Sequence, residues 1–261
     1  MSISRGTFLK SLGKSLPGMV LGSGVAAAAQ TLLGKVAAAS GSPVMKHAPA
    51  SPVTKEEAPK VPFISNGPEN GKKIALTFDD GPTPGVTDRI LDVLKERGVH
   101  ATFFMIGSRI AADPDLARRV LAEGHEIGNH TYTHTKLTTL PDEKVAGEIE
   151  LTRRILRDQL AYTTKWLRPP FGAFRQNQAA VAAKAGLGVV LWSIDSNDWS
   201  QPGEERIVEK VLEQVKPGAI ILCHDVHAQT VSALAPLLDG LFAQGLELTT
   251  LSGLIPTSVM V

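Results

Sequence analysis

The chain has 261 residues, 43% hydrophobic and 20% charged, enough to bury one sizeable core or two small ones. Its formal charge of +1 misleads: residues 1–39 carry four basic side chains (Arg5, Lys10, Lys14, Lys35) and no acidic ones, leaving 23 basic against 26 acidic residues elsewhere. That balance makes no basic face for nucleic acid, and a single cysteine, Cys223, excludes an intrachain disulfide.

After the early positive charges, Ser15 to Gly34 is uncharged and rich in Ala, Gly, Leu and Val. Small-x-small sites stand at Ala26-Ala27-Ala28 and Ala37-Ala38-Ala39. This order is the layout of an export signal. Ser4 to Lys10 resembles a twin-arginine export motif, with Gly6 in place of the second arginine. The uncharged stretch is also just long enough for an uncleaved anchor. The expectation for 1–39 is an export signal or N-terminal anchor, placing the protein in the periplasm, the cell envelope or outside the cell. Residues 40–70 hold Pro43, Pro49, Pro52, Pro59, Pro62 and Pro68 among Ser, Lys and Glu, with no apolar period. They read as a Pro/Ser-rich linker, which leaves 71–258 as the folded domain.

From Lys72 short apolar runs alternate with amphipathic stretches. The runs lie near 73–78, 101–106, 125–129, 166–168, 188–194, 219–223 and 246–250. Residues 86–97 place Ile90, Leu91, Val93 and Leu94 on one helical face, with Gly98 as the stop. Asp113-Pro114 forms a cap and first turn before Leu116, Val120 and Leu121, and Gly124 follows. Pro141 opens a longer helix with Val145, Ile149 and Ile155; further helices are expected over 176–185, 204–215 and 230–243. This repetition predicts an α/β fold with a parallel sheet. Seven units can close into a barrel, and periodicity does not separate that from a doubly wound open sheet. Cys223, in the run Ala219 to Leu222, reads as a small buried residue.

Ionisable residues gather at one end of these runs. Asp79 and Asp80 end the first, His130 the third, Arg168 the fourth, Asp195 the fifth and His224 the sixth. In parallel α/β folds, sites form at the carboxyl ends of strands. His130 and His134 are four residues apart and, with one carboxylate, make a two-histidine, one-carboxylate set suited to zinc or another first-row divalent ion. Neighbouring side chains diverge, so one of Asp79 and Asp80 is the ligand and the other is free as a base. Asp80 is assigned as ligand and Asp79 as base, although spacing alone permits the reverse. In Trp166-Leu167-Arg168-Pro169-Pro170-Phe171 neither proline has a backbone N–H. Phe171 therefore offers the first donor after Arg168, and Arg168 can pair with a carboxylate. Asp195-Ser196-Asn197-Asp198-Trp199 and Leu222-Cys223-His224-Asp225 complete the set; a histidine held by a carboxylate can serve as an acid, and Asp195 is matched to His224. His47 and His100 read as linker and surface residues, His125 and His227 as structural or peripheral.

Together these five segments resemble the polysaccharide deacetylases, the fourth family of carbohydrate esterases. The resemblance runs from about Lys72 to Leu254 and implies a distorted (β/α)7-type barrel with the active-site groove at the carboxyl ends of the strands. It implies that Asp79 is the catalytic base, that Asp80, His130 and His134 bind the metal, and that Arg168 pairs with the base. Asp195 is similar to the partner of the catalytic acid, His224; Phe171, Trp199 and Leu222 match positions that meet substrate. Phe171 stands where the family commonly has tyrosine, so a role for its backbone N–H survives and a phenol hydroxyl is lost. The implied cofactor is Zn2+ or another divalent ion such as Co2+. The implied reaction is hydrolysis of N-acetyl groups on a polysaccharide, with peptidoglycan N-acetylglucosamine the first expectation. Chitooligosaccharides, O-acetyl xylan, or a catalytically silent carbohydrate-binding role are the competing readings.

Overall fold

The computed structural model describes residues 63–256. The export segment, His47 and the linker up to residue 62 lie outside the described residues. Strand β1 (Phe63–Ile64) opens the fold, followed by β2 (Lys73–Asp79), α1 (Thr87–Glu96), β3 (Thr102–Met105), α2 (Gly107–Ala112), α3 (Pro114–Ala122) and β4 (Glu126–Asn129). Then come α4 (Asp142–Leu160), β5 (Trp166–Leu167), α5 (Gln176–Lys184), β6 (Gly188–Val190), β7 (Ile194–Asp195) and α6 (Glu204–Gln214). The chain continues through β8 (Ile220–His224), α7 (Ala228–Ala243), β9 (Glu247–Thr249) and α8 (Leu251–Leu254).

Each of the seven apolar runs becomes strand, and the strands form one parallel, strongly curled sheet ordered β1-β6-β5-β4-β3-β2-β8-β7, with β9 on the start of β2. The run over 188–194 divides in two. Its first half pairs with β5 and its second with β8, so Leu191, Trp192 and Ser193 carry the chain from one end of the sheet to the other. The ring is thus completed by covalent continuity rather than by a ladder, which is the distortion of the barrel. The linker ends earlier than expected. Phe63–Ile64 pairs with β6, Asn66 bridges Ala219, and buried Ile64 joins the core.

The expected helices form, and their boundaries have local causes. The Asp113 side chain accepts from the Leu116 N–H at 3.1 Å and Pro114 sits in the first turn of α3. Gly98 (φ 63°) and Gly124 (φ 84°) turn the chain out of α1 and α3 in the left-handed region. Helices α2 and α8 had no sequence signal, being six and four residues long, too short to display a helical period.

Strand alternation decides what points where. Ile74, Leu76 and Phe78 of β2 pack outward under the helices with Phe103, Met105, Ile127, Ile221 and Cys223. Their neighbours face the barrel interior: Ala75, Phe104, Trp166, Val190 and Ile220 form a separate inner cluster with Leu251 and Leu254. Cys223 is buried, as its apolar run implied. The same parity carries on to the carboxyl ends of the strands. Asp79, His130, Arg168, Leu222 and His224 belong to the inward set. Register completes the placement: Asp79 stands opposite His224, and Asn129 is flanked by Met105 and Leu167.

Candidate active site

A groove of about 480 Å³ opens at this end of the barrel, with Asp79, Asp80, His130, His134 and His224 in its wall. Asp80 leaves β2 with φ 81°, its N–H bonded to the Phe104 carbonyl at 3.1 Å. Its Oδ1 lies 3.3 Å from His130 Nε2 and 3.0 Å from His134 Nε2. One donor atom from each of the three falls within 4.8 Å of the others. Burial raises the Asp80 carboxyl, but hydrogen bonds and charge from the two imidazoles prevail and hold it well below the usual carboxylate range. Nδ1 of His130 is 2.7 Å from the Arg168 carbonyl, an acceptor, so Nδ1 carries a proton and Nε2 is the nitrogen turned toward Asp80 and offered to a metal ion. A carboxylate and two imidazoles, one with its tautomer set from behind, suit a divalent ion such as zinc.

Asp79 is oriented differently. Its carboxylate is buried and its Oδ1 accepts from Arg168 Nη1 at 2.7 Å. Arg168 is wholly buried; it also donates to Thr77 Oγ1 at 2.8 Å and to the Leu191 carbonyl at 2.9 Å, and lies 4.1 Å over the Phe104 ring. The guanidinium neutralises Asp79 from within the barrel and leaves Oδ2, 3.7 Å from His130 Nε2, toward the groove. The two adjacent carboxylates are thereby separated: Asp80 joins the histidines and Asp79 joins the arginine.

His224 lies across from them, and its partner is not the expected one. Nδ1 of His224 is 2.7 Å from Oδ1 of Asp198, whose Oδ2 accepts from the His224 N–H and the Thr230 hydroxyl, each at 2.7 Å. Asp195 instead accepts from the Asn197 N–H at 2.7 Å and lies 3.4 Å from Trp199 Nε1. The cause is the turn after β7. Asn197 is left-handed (φ 65°), which swings Asp198 back beneath β8, fully buried, while Asp195 stays at the groove wall. Burial lowers the His224 pKa, but the bond and charge of Asp198, with smaller pulls from Asp79 and Asp80, raise it to about 9. Asp198 is correspondingly held below the carboxylate range by His224 and Thr230, against its own burial.

Phe171 and Trp199 project into solvent on the groove rim, 67% and 54% exposed, and Leu222 lines its floor from β8. Phe171 is left-handed (φ 60°) with its ring 4.8 Å from that of His134. Trp192, from the β6–β7 crossing, also lines the groove, and His227 proves to be part of its wall rather than peripheral. His125 is structural as expected: buried at the amino end of β4, it accepts from the Ala101 N–H, and burial, with the neighbouring His100, lowers its pKa to about 4. Asp225 was not singled out by the sequence. It is wholly buried and accepts from the Thr87 hydroxyl at 2.6 Å; a Cβ on Gly81 would come within 1.9 Å of its Oδ2, so the turn after Asp80 closes directly onto it. Its only sequence signal was adjacency to His224.

The polysaccharide deacetylase profile matches residues 66–190. A chitooligosaccharide deacetylase from a Bradyrhizobium strain is 41% identical over 192 residues, covering 68% of this chain and 88% of that protein. The chain belongs to the polysaccharide deacetylase family. Within it, the peptidoglycan-N-acetylglucosamine deacetylase PgdA of Listeria monocytogenes is 40% identical over 208 residues; the match spans 78% of this chain and 44% of PgdA. Among solved structures, the Bc1960 peptidoglycan N-acetylglucosamine deacetylase superposes with a TM-score of 0.72 at 36% identity, covering 74% of this chain and 92% of that one. In this deacetylase-family chain the inward parity of the strands brings Asp79, His130 and His224 to the groove, while Asp80 and His134 reach it from left-handed turn positions.

Proposed function

We propose that the protein hydrolyses the N-acetyl group of a polysaccharide, with peptidoglycan N-acetylglucosamine the preferred substrate, releasing acetate and a free amine. One arrangement carries this reading: the Asp80–His130–His134 cluster, the Asp79–Arg168 pair and the His224–Asp198 pair share a single groove. Asp80, His130 and His134 would hold a divalent ion, for which zinc is our assignment. Such an ion supplies Lewis acidity toward the acetyl carbonyl and makes water a nucleophile near neutral pH.

Asp79 takes a proton from the attacking water through its groove-facing oxygen, while Arg168 holds the other oxygen. The Phe171 N–H would serve as a donor to the developing oxyanion. His224, an imidazolium at neutral pH because Asp198 stabilises its charge, gives its proton to the departing nitrogen as the C–N bond breaks. The water is thereby divided: its oxygen goes to acetate, and the amine gains a proton. Phe171 and Trp199 offer flat apolar faces to the sugar rings. A silent carbohydrate-binding role sits poorly with a site in which base, ligand set and acid are all retained.

The positive, then uncharged, then small-residue order of 1–39 supports export, where a cell-wall polymer is met. The relatives' printed activities support both peptidoglycan and chitooligosaccharide substrates. The test is acetate release by the full-length chain from peptidoglycan and from N-acetylglucosamine oligomers, with chelator and then with zinc restored. We expect release from peptidoglycan that stops with chelator and returns with zinc. Faster release from the oligomers would replace the polymer assignment, and chelator-insensitive release would remove the metal.

A further inference from the structure

The loop that carries both histidines is anchored by a side chain from outside it. From Thr131 to Thr133 the chain makes an irregular turn, with Thr131 (φ 65°) and His134 (φ 59°) both left-handed. Such a turn has no ladder to satisfy its polar groups, so each needs a partner from elsewhere. The carbonyls of Thr131 and Tyr132 accept from the Gly107 and Ser108 N–H groups at the start of α2, at 2.8 and 3.1 Å. The Thr131 N–H donates to Asn129 Oδ1 at 2.8 Å, and the His134 N–H to the Thr131 hydroxyl at 3.2 Å.

The remaining donors converge on Glu148, on the second turn of α4. Its Oε2 accepts the Tyr132 N–H at 3.0 Å and the Thr133 N–H at 2.8 Å, and its Oε1 accepts the Thr133 hydroxyl at 2.9 Å. Glu148 thus binds three donors in the two residues directly before His134. The neighbouring Asn129 completes the grip, donating to the Ile149 carbonyl of the same helix at 3.0 Å. Bonds from a carboxylate to N–H donors are stronger than neutral ones, and they fix the residues that set where His134 Nε2 points. The fit is tight on the other side too: a Cβ on Gly107 would fall 2.5 Å from Thr152 Oγ1 and 3.0 Å from Tyr132.

We propose that Glu148 is a positioning residue for the metal site, acting through the 131–133 turn to hold His134 in register with His130 and Asp80. This rests on the metal-site reading above. Partners that orient a ligand from outside the site typically change metal affinity 10- to 100-fold when removed, so Glu148→Ala is expected to weaken zinc binding about 10- to 100-fold. Glu148→Gln keeps one carbonyl oxygen for both backbone N–H groups, and its amide can donate to the Thr133 hydroxyl. It should bind zinc within about threefold of the parent.

The measurement is competition for zinc against a chelating dye, on the metal-free full-length chain, beside thermal melting of the same samples. Glu150→Ala, an α4 neighbour whose carboxylate pairs with Arg153, serves as the control and should bind zinc normally. A folded Glu148→Ala that binds zinc as the parent does overturns the proposal. So does a metal-free Glu148→Ala that fails to fold, because Glu148 then belongs to the framework rather than to the site. A parent chain that binds no zinc would instead refute the metal-site reading itself.

Discussion

Replacing Asp198 with asparagine removes the charge beneath His224 while keeping the size of the side chain. In the parent the imidazole pKa is about 9 against an ordinary 6.5, a factor of roughly 300 in proton affinity, or on the order of 3 kcal/mol. That gain is net of burial, which acts the other way, and Asp198 supplies its largest favourable part, with smaller pulls from Asp79 and Asp80. Without Asp198, His224 should fall toward its ordinary value of about 6.5. At pH 7 the protonated fraction would fall from about 99% toward about a quarter. The assay is an NMR titration of the His224 ring in the metal-free protein, run on the parent, Asp198→Asn and Asp195→Asn. Asp195→Asn should leave the midpoint near its parent value, since Asp195 bonds to Asn197 and not to the imidazole. A midpoint unchanged in Asp198→Asn, or equally lowered in Asp195→Asn, would refute the pairing. Stability follows with a definite sign. A raised histidine pKa contributes stability in full below pH 6.5 and loses it as pH climbs through about 9. The lowered Asp198 contributes above its ordinary value and is lost as pH falls through its folded one. Melting temperature of the parent should therefore decline from pH 6.5 to 9 more steeply than that of Asp198→Asn.

Arg168→Met leaves Asp79 buried without its partner, and breaking a buried pair in this way costs about 3–5 kcal/mol; urea unfolding reads it, and an unchanged midpoint would mean the pair contributes nothing net. Gly81→Ala drives a methyl group into wholly buried Asp225 and should destabilise by about 1–3 kcal/mol, a loss absent if the β2–α1 turn simply relaxes. Asp79→Asn should lower acetate release by about 10²–10⁴-fold while sparing zinc affinity; substantial turnover in that variant would remove Asp79 as the base.

Much of the site was legible because its residues are sequence-local to strand ends. Asp79, Asp80, His130, Arg168 and His224 each close an apolar run, and a parallel sheet gathers such ends on one face. Asp195 was matched to His224 in place of Asp198 because the two share one segment and differ in how Asn197 turns the chain, a left-handed conformation that composition does not declare. Glu148 and Asp225 were passed over for a related reason: one is an ordinary glutamate on an amphipathic helix, the other an acid beside a histidine. Their roles consist of contacts made across 15 and 138 residues of sequence.

The sequence by itself determined the α/β class, the seven strand runs, the helix boundaries at Asp113, Gly98 and Gly124, and the kinds of groups available to the groove. These follow from local periodicity, capping and chain order, which act over a few residues. Only the tertiary structure decided that Asp80 faces the histidines while Asp79 faces Arg168, that His224 rests on Asp198, and that the ring closes through Leu191–Ser193. Each depends on strand parity and register between segments far apart in the chain, and a shift of one residue in either would turn the same side chains away from the groove.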